Sequence, residues 1–383
     1  MHKLYPIWRS TILLATGLAL AIASCKTESE EDLKPSMAIP LVYDSVGFVY
    51  NSEPLQPLLR QFTALIQEAE RGTQRGVYVS EESLNAAFSQ GSFSLQSVTS
   101  PYYTSRLQAW NNGFFAELSK ASGNSFHPFD RSWEGGVYAG HLFDEYGLEI
   151  QQMIEKGMYA ATLYNYALSL TNTEMRPATA DQLLFLYGAN PVFINSDNTA
   201  VYANADRLMA ANAARRDDAT GTGLYSQTRQ AFITLKTALD LGEDYNAYRD
   251  EALATIKLNW EKTSAATVIH NSHEVGLRLT SGRSDDQTRA EVMHLVSEAA
   301  GLLHGWRTID AQNKRITDSQ IDEVLTLLNA PYDRSAAVYR FVTNTAEELP
   351  KLAEAVAKLQ GIYGFTNDEV ESFRRNYVAD QGR

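Results

Sequence analysis

Thiols are nearly absent from this chain: of 383 residues one, Cys25, is a cysteine. An internal disulfide is therefore excluded, and so are the thiolate ligand sets of structural zinc and iron–sulfur centres. The apolar run at residues 12–22 is too short to cross a bilayer. Positive charge is in deficit, with 33 Lys and Arg against 46 Asp and Glu and a net charge of −13. Such a balance argues against nucleic acid and against peripheral binding to anionic lipid. There is no P-loop, no nucleophile elbow and no His-Glu-x-x-His, and Gly135-Gly136 completes no phosphate-cradling fingerprint. No 34-residue unit repeats, which disfavours a tetratricopeptide array.

What is there begins with an address. Lys3 and Arg9 precede the apolar run, and the small residues Ala23 and Ser24 lead to Cys25, so residues 1–24 read as a lipoprotein signal peptide. Ile22-Ala23-Ser24-Cys25 resembles a bacterial lipobox, in which the chain is cut before the cysteine and the thiol is acylated. Cys25 is the expected lipid attachment, and acyl chains contribute about 0.8 kcal/mol per buried CH₂. Residues 25–40 form an acidic tether with Glu28, Glu30, Glu31 and Asp32. Acid directly behind a lipidated cysteine is similar to a signal for display on the outer face. Cleavage removes Lys3 and Arg9 from the 33 bases and no acid, leaving 31 against 46, a net −15. The expected location is the outer membrane, lipid-anchored and surface-exposed.

The rest reads as all-α, a multi-helix bundle with a long irregular excursion in the middle. Residues 41–383 are expected to form a single helical domain, or two packed bundles divided near 172–223. Residues 142–170 contain no proline and become apolar nearly all round in their second half, which marks them as a central core helix. Asp144 and Glu145 would favour its N-terminus, Glu149, Gln151 and Gln152 would lie on its polar face, and Gly157 would admit a close neighbour. Further helices are expected from Pro54 and Pro57 to about 71 and at about 81–90, 103–120, 224–241, 245–273, 285–304, 317–328 and 334–360, with a short one from Thr366 and no convincing sheet. Pro177, Pro191 and Gly221-Thr222-Gly223 loosen the pattern over 172–223, leaving room for one or two short helices.

Three blocks carry a family likeness: residues 142–168 (LFDEYGLEIQQMIEKGMYAATLYNYAL), 252–270 (ALATIKLNWEKTSAATVIH) and 316–322 (ITDSQID). They resemble a family of uncharacterised bacterial helical lipoproteins, distantly related to the imelysin-like proteins found near iron-acquisition systems. The likeness covers most of the chain after about residue 58 and implies an all-helical fold with a surface or periplasmic address. The family carries a His-His-Trp-Asp-Glu run that aligns within 178–188. Here Ala178, Thr179, Ala180, Asp181 and Gln182 stand there, and Asp181 alone is kept.

Candidate metal ligands are few. His270, His273 and Glu274 stand at i, i+3 and i+4 and share a helix face, enough for two imidazoles and a carboxylate on a divalent ion. Histidines near a helix end are equally favoured by the dipole and the last carbonyls. Gly140-His141 with Glu145 is similar to the imelysin Gly-x-His-x-x-Glu motif but is offset by one on each side. His141 then closes the loop before the core helix, with a ligand role as the alternative. His294 or His304 would supply a further ligand to His270 only if their helix packed antiparallel on it. No cofactor is expected, with metal or haem as the alternative. The functional expectation is a non-catalytic binding or accessory component of an uptake system, working with outer-membrane protein partners. The alternatives are an imelysin-like metal- or haem-binding protein or metallopeptidase-like enzyme, and a glycan-binding surface lipoprotein using some of the twenty tyrosines and five tryptophans.

Overall fold

The computed structural model describes residues 35–218 and 220–383. The expected signal peptide, Cys25 and most of the expected tether lie outside the described residues. Helices run from end to end, and strand among the described residues is confined to one hairpin, so the fold is all-α. The frame consists of α1 (Gln56–Glu70), the hairpin β1 (Gly136–Tyr138) and β2 (His141–Phe143), α2 (Ile150–Met158), α3 (Leu224–Leu241), α4 (Asn246–Thr280), α5 (Asp286–His304) and α6 (Thr345–Tyr363). Among the described residues no helix is long and apolar enough to cross a membrane.

At 35 residues, α4 is the hub. It has one glycine and no proline, and it packs against α3 on one side, α5 on another and α6 along a third. Its middle is small and apolar, Ala265, Ala266, Val268 and Ile269 all being buried, so neighbours come close on every side. Asp285 caps α5 by accepting the Thr288 N–H at 2.8 Å. Beyond α5 lies α2, and α1 covers α2. Rings fill the centre: Tyr164 stands 5.4 Å from Trp260 and 4.7 Å from Trp306, and Tyr187 stands 5.0 Å from Trp260. The excursion over 172–223 holds two short helices, Pro177–Tyr187 and Leu208–Arg215, around an irregular stretch.

Residues 142–170 are not one helix, which corrects the expectation of a single core helix. They run through β2, a turn, α2, a wider π-type turn at Tyr159–Tyr164 and a last helix at Asn165–Thr171. The cause is local competition. Asp144 Oδ1 accepts the N–H groups of Tyr146 and Leu148, both at 2.8 Å, and Gly147 adopts φ +75°, so the chain turns before Glu149 instead of coiling from Leu142. The polar face is corrected as well: Glu149, Gln151 and Gln152 are all buried. They are covered because α5 lies hard against α2. A Cβ on Gly301 would meet Gln152 O at 2.5 Å, and one on Gly157 would meet Tyr103 Oη at 1.6 Å. The close approach expected at Gly157 is therefore there. Likewise, 103–120 splits into Pro101–Gln108 and Phe114–Ala121, and 334–360 resolves into Arg340–Thr343 and α6.

Candidate metal centre

The hairpin brings His141 to the site. Ala139 and Gly140 both have positive φ, 46° and 90°, the pattern of a tight two-residue turn whose twist suits antiparallel strands. Tyr138 then pairs with His141, so the histidine opens β2. After the Asp144 turn the chain returns beside the hairpin, where Phe143 and Glu149 form an isolated antiparallel bridge. That return places Glu149 next to His141 in space although eight residues separate them. The third member, His294, comes from α5. Ser297, three residues further on α5, accepts the Glu149 N–H at 2.8 Å and locks the start of α2 onto that helix.

Three side chains from three elements thus converge. His141 Nδ1 lies 3.2 and 3.3 Å from the two oxygens of Glu149, and His294 Nδ1 lies 2.6 Å from Oε2. A carboxylate only accepts, so each Nδ1 is the donor in this arrangement. The two imidazole rings are 4.8 Å apart, centre to centre. Glu149 is 2% exposed, while the side chains of His141 and His294 are 21% and 28% exposed. The carboxylate is the floor and the imidazoles are the rim.

Burial pushes the carboxyl of Glu149 upward, but hydrogen bonds from His141 and His294 and their positive charge outweigh it, and the net shift is down. Burial pulls His294 down, and here too the Glu149 hydrogen bond and charge reverse the sign, with Glu298 adding to them and Lys156 opposing. The site is therefore built to keep a negative charge deep and to hold positive charge over it. Among the described residues, His141, Glu149 and His294 are the group of metal-ligating side chains that lies together, every ligand atom within 4.8 Å of the others. Two imidazoles and one carboxylate, with the imidazole side partly exposed, fit a divalent transition ion such as zinc or iron that keeps open positions.

The ligand set read from one helix face does not come together. His270 Nδ1 donates to the Phe373 carbonyl at 2.8 Å, and burial, helped by the Arg216 charge, pushes its pKa down to about 4. His273 is half-buried, and burial and then Arg374 lower its pKa. Glu274 is paired with Arg278. Helical spacing put the three on one face, but His270 is held by the Phe373 carbonyl and Glu274 by Arg278, and the three do not form a ligand cluster among the described residues. His304 is buried among Tyr102, Tyr103 and Phe114 instead of reaching His270. Asp181, singled out by the resemblance within 178–188, is fully buried and bonded to Lys236, Tyr43 and Asn51.

His141 was legible as a candidate and His294 only as a conditional partner for His270; Glu149 was not legible as a ligand. Glu149 looked like one more polar residue on an amphipathic helix, and nothing across the sequence separation of 145 from it to His294 marks them as neighbours. The usable signal was the Tyr-Ala-Gly-His turn, since a hairpin ahead of the helix would have freed Glu149 from the polar face. No protein-family model, no curated protein and no solved structure matches this chain.

Proposed function

We propose that this protein is a lipid-anchored, metal-binding accessory component of an uptake system at the outer membrane, with His141, Glu149 and His294 as ligands to a divalent transition ion. One observation carries the reading: a fully buried carboxylate is held under two partly exposed imidazoles contributed by separate elements. A charge is costly to bury without compensation. A purely structural pair would close over that charge, whereas here the compensating groups are left where a cation can replace their protons. Anchoring through Cys25 and kinship with the imelysin-like helical lipoproteins belong to the same proposal. They rest on Ile22-Ala23-Ser24-Cys25 and on the three sequence blocks. An outer-membrane protein is the expected partner, since an acyl anchor confines the chain to that surface.

Stripping the mature protein with a chelator and titrating it with zinc or cobalt tests the site. Wild type should take up a single ion per chain, Glu149→Gln and His294→Ala should lose it, and His270→Ala with His273→Ala should keep it. Uptake abolished by the His270/His273 pair and retained in Glu149→Gln would overturn the assignment.

A further inference from the structure

Three protein ligands leave the ion's charge incompletely balanced. Two neutral imidazoles and one carboxylate around a divalent ion carry a net single positive charge over a buried floor, while the nearby Lys156 is already paired with Glu155 at 2.9 Å. A second carboxylate would make the assembly neutral, which is the cheaper state away from bulk water. Two acids flank His294 on α5, Glu291 three residues before it and Glu298 four residues after it. Such positions are neighbours on a helix surface, with Cβ atoms roughly 5–6 Å apart. Glu298 stands 3.8 Å from Lys156 Nζ, where it balances that buried charge. Glu291 is differently placed. Its side chain is 39% exposed, Arg278 Nε of α4 donates to its Oε2 at 3.1 Å, and Gln287 donates to its Oε1 at 3.3 Å. Arg278 has a second acid, Glu274, and keeps a partner if Glu291 departs.

Resting on the metal-binding reading above, we propose that Glu291 is the fourth ligand, and that Arg278 withholds it until a cation enters. The exchange needs no proton from Glu291, which is already ionised. The Arg278 Nε–H···Oε2 hydrogen bond breaks, a metal–carboxylate bond forms, and Arg278 turns wholly to Glu274. Arg278 then acts as a positioning residue that sets the affinity of the site from outside the coordination sphere.

Cobalt(II) titration of the mature protein reads affinity and coordination together, because four-coordinate cobalt absorbs visible light far more strongly than six-coordinate cobalt. Wild type should show the intense form. Glu291→Gln should bind at least about tenfold more weakly, on the scale of losses from altered metal-site partners, and should show the weak form. Arg278→Met should bind several-fold more tightly, since nothing then competes for Glu291. A general fold defect would weaken both variants, so the opposite signs are diagnostic. Wild-type affinity and spectrum in Glu291→Gln, or weakened binding in Arg278→Met, would overturn the fourth ligand while leaving the three-ligand site in place. A wild type that takes up no cobalt would overturn both.

Discussion

His304 ends α5 with its ring edge-on to Tyr103 and Phe114, and its Nε2 shares a 3.1 Å hydrogen bond with the Tyr102 hydroxyl. Burial, then the charges of Arg106 and Arg307, push its pKa down to about 3. His270 is shifted the same way, to about 4. In an unfolded chain a histidine titrates near ~6.5. The unfolded state therefore takes up the proton first as the pH falls. The stabilisation from burying a neutral ring is fully present above ~6.5 and is lost progressively toward the folded-state value, by up to about 1.4 kcal/mol per pH unit for each such group. Urea denaturation should give lower stability at pH 5.0 than at pH 7.5, with a smaller loss in His304→Phe. An equal loss in wild type and variant would remove His304 as a source of the slope.

At the scale of elements, α2 is approached closely through glycines on two sides, by α5 at Gly301 and by Tyr103 of Pro101–Gln108 at Gly157. Tyr103 passes under Gly157, and its hydroxyl donates to the Met153 carbonyl, so the space a Cβ would need is already occupied. Gly157→Ala should destabilise the protein by about 1–3 kcal/mol through overpacking. Gly276, inside α4, is the opposite case, because a Cβ there meets only Leu349 Cδ1 at 3.9 Å. Gly276→Ala should stabilise by about 0.4–1 kcal/mol by restricting the unfolded chain. Midpoints of parallel denaturant titrations check both signs. A harmless Gly157→Ala would mean that Tyr103 can move aside, and with it the carbonyl of Met153 in α2, the helix that begins beside Glu149.

At the scale of the whole molecule, the N-terminal segment is clasped to the bundle by one buried charge pair. Lys236 of α3 donates to Asp181 Oδ2 at 2.9 Å, Asn51 donates to the same oxygen at 2.7 Å, and Tyr43 donates to Oδ1 at 2.6 Å. Both charged side chains are almost wholly enclosed, at 5% and 0% exposure. Removing one partner strands the other charge, so Lys236→Met should cost about 3–5 kcal/mol. Adding Asp181→Asn should restore part of it, since the amide oxygen still accepts from Tyr43. Thermal unfolding of the single and double variants tests the coupling, and strictly additive losses would argue against it.

Helices were legible because their signals are local. Ser80, Asp285, Thr317 and Thr366 sit as N-caps, each accepting a backbone N–H three residues on, and α3 occupies the span that its apolar spacing predicts. The all-α class follows from such patterns, each contained within one or two turns of chain. The excursion over 172–223 was legible for the same reason, from its prolines and glycines. The break ahead of α2 was not, because Asp144 favours a helix start by charge and a turn by its side-chain hydrogen bonds, and only the packed structure decides which wins. The same holds for the site. His141, Glu149 and His294 belong to three elements, and their meeting depends on a hairpin, a turn and the close crossing of α2 with α5. Periodicity reports which residues are buried on average; it does not report which buried carboxylate ends beneath which imidazole. That choice is made by tertiary packing, where one close approach at Gly301 turns an outwardly polar stretch into the floor of a charged pocket.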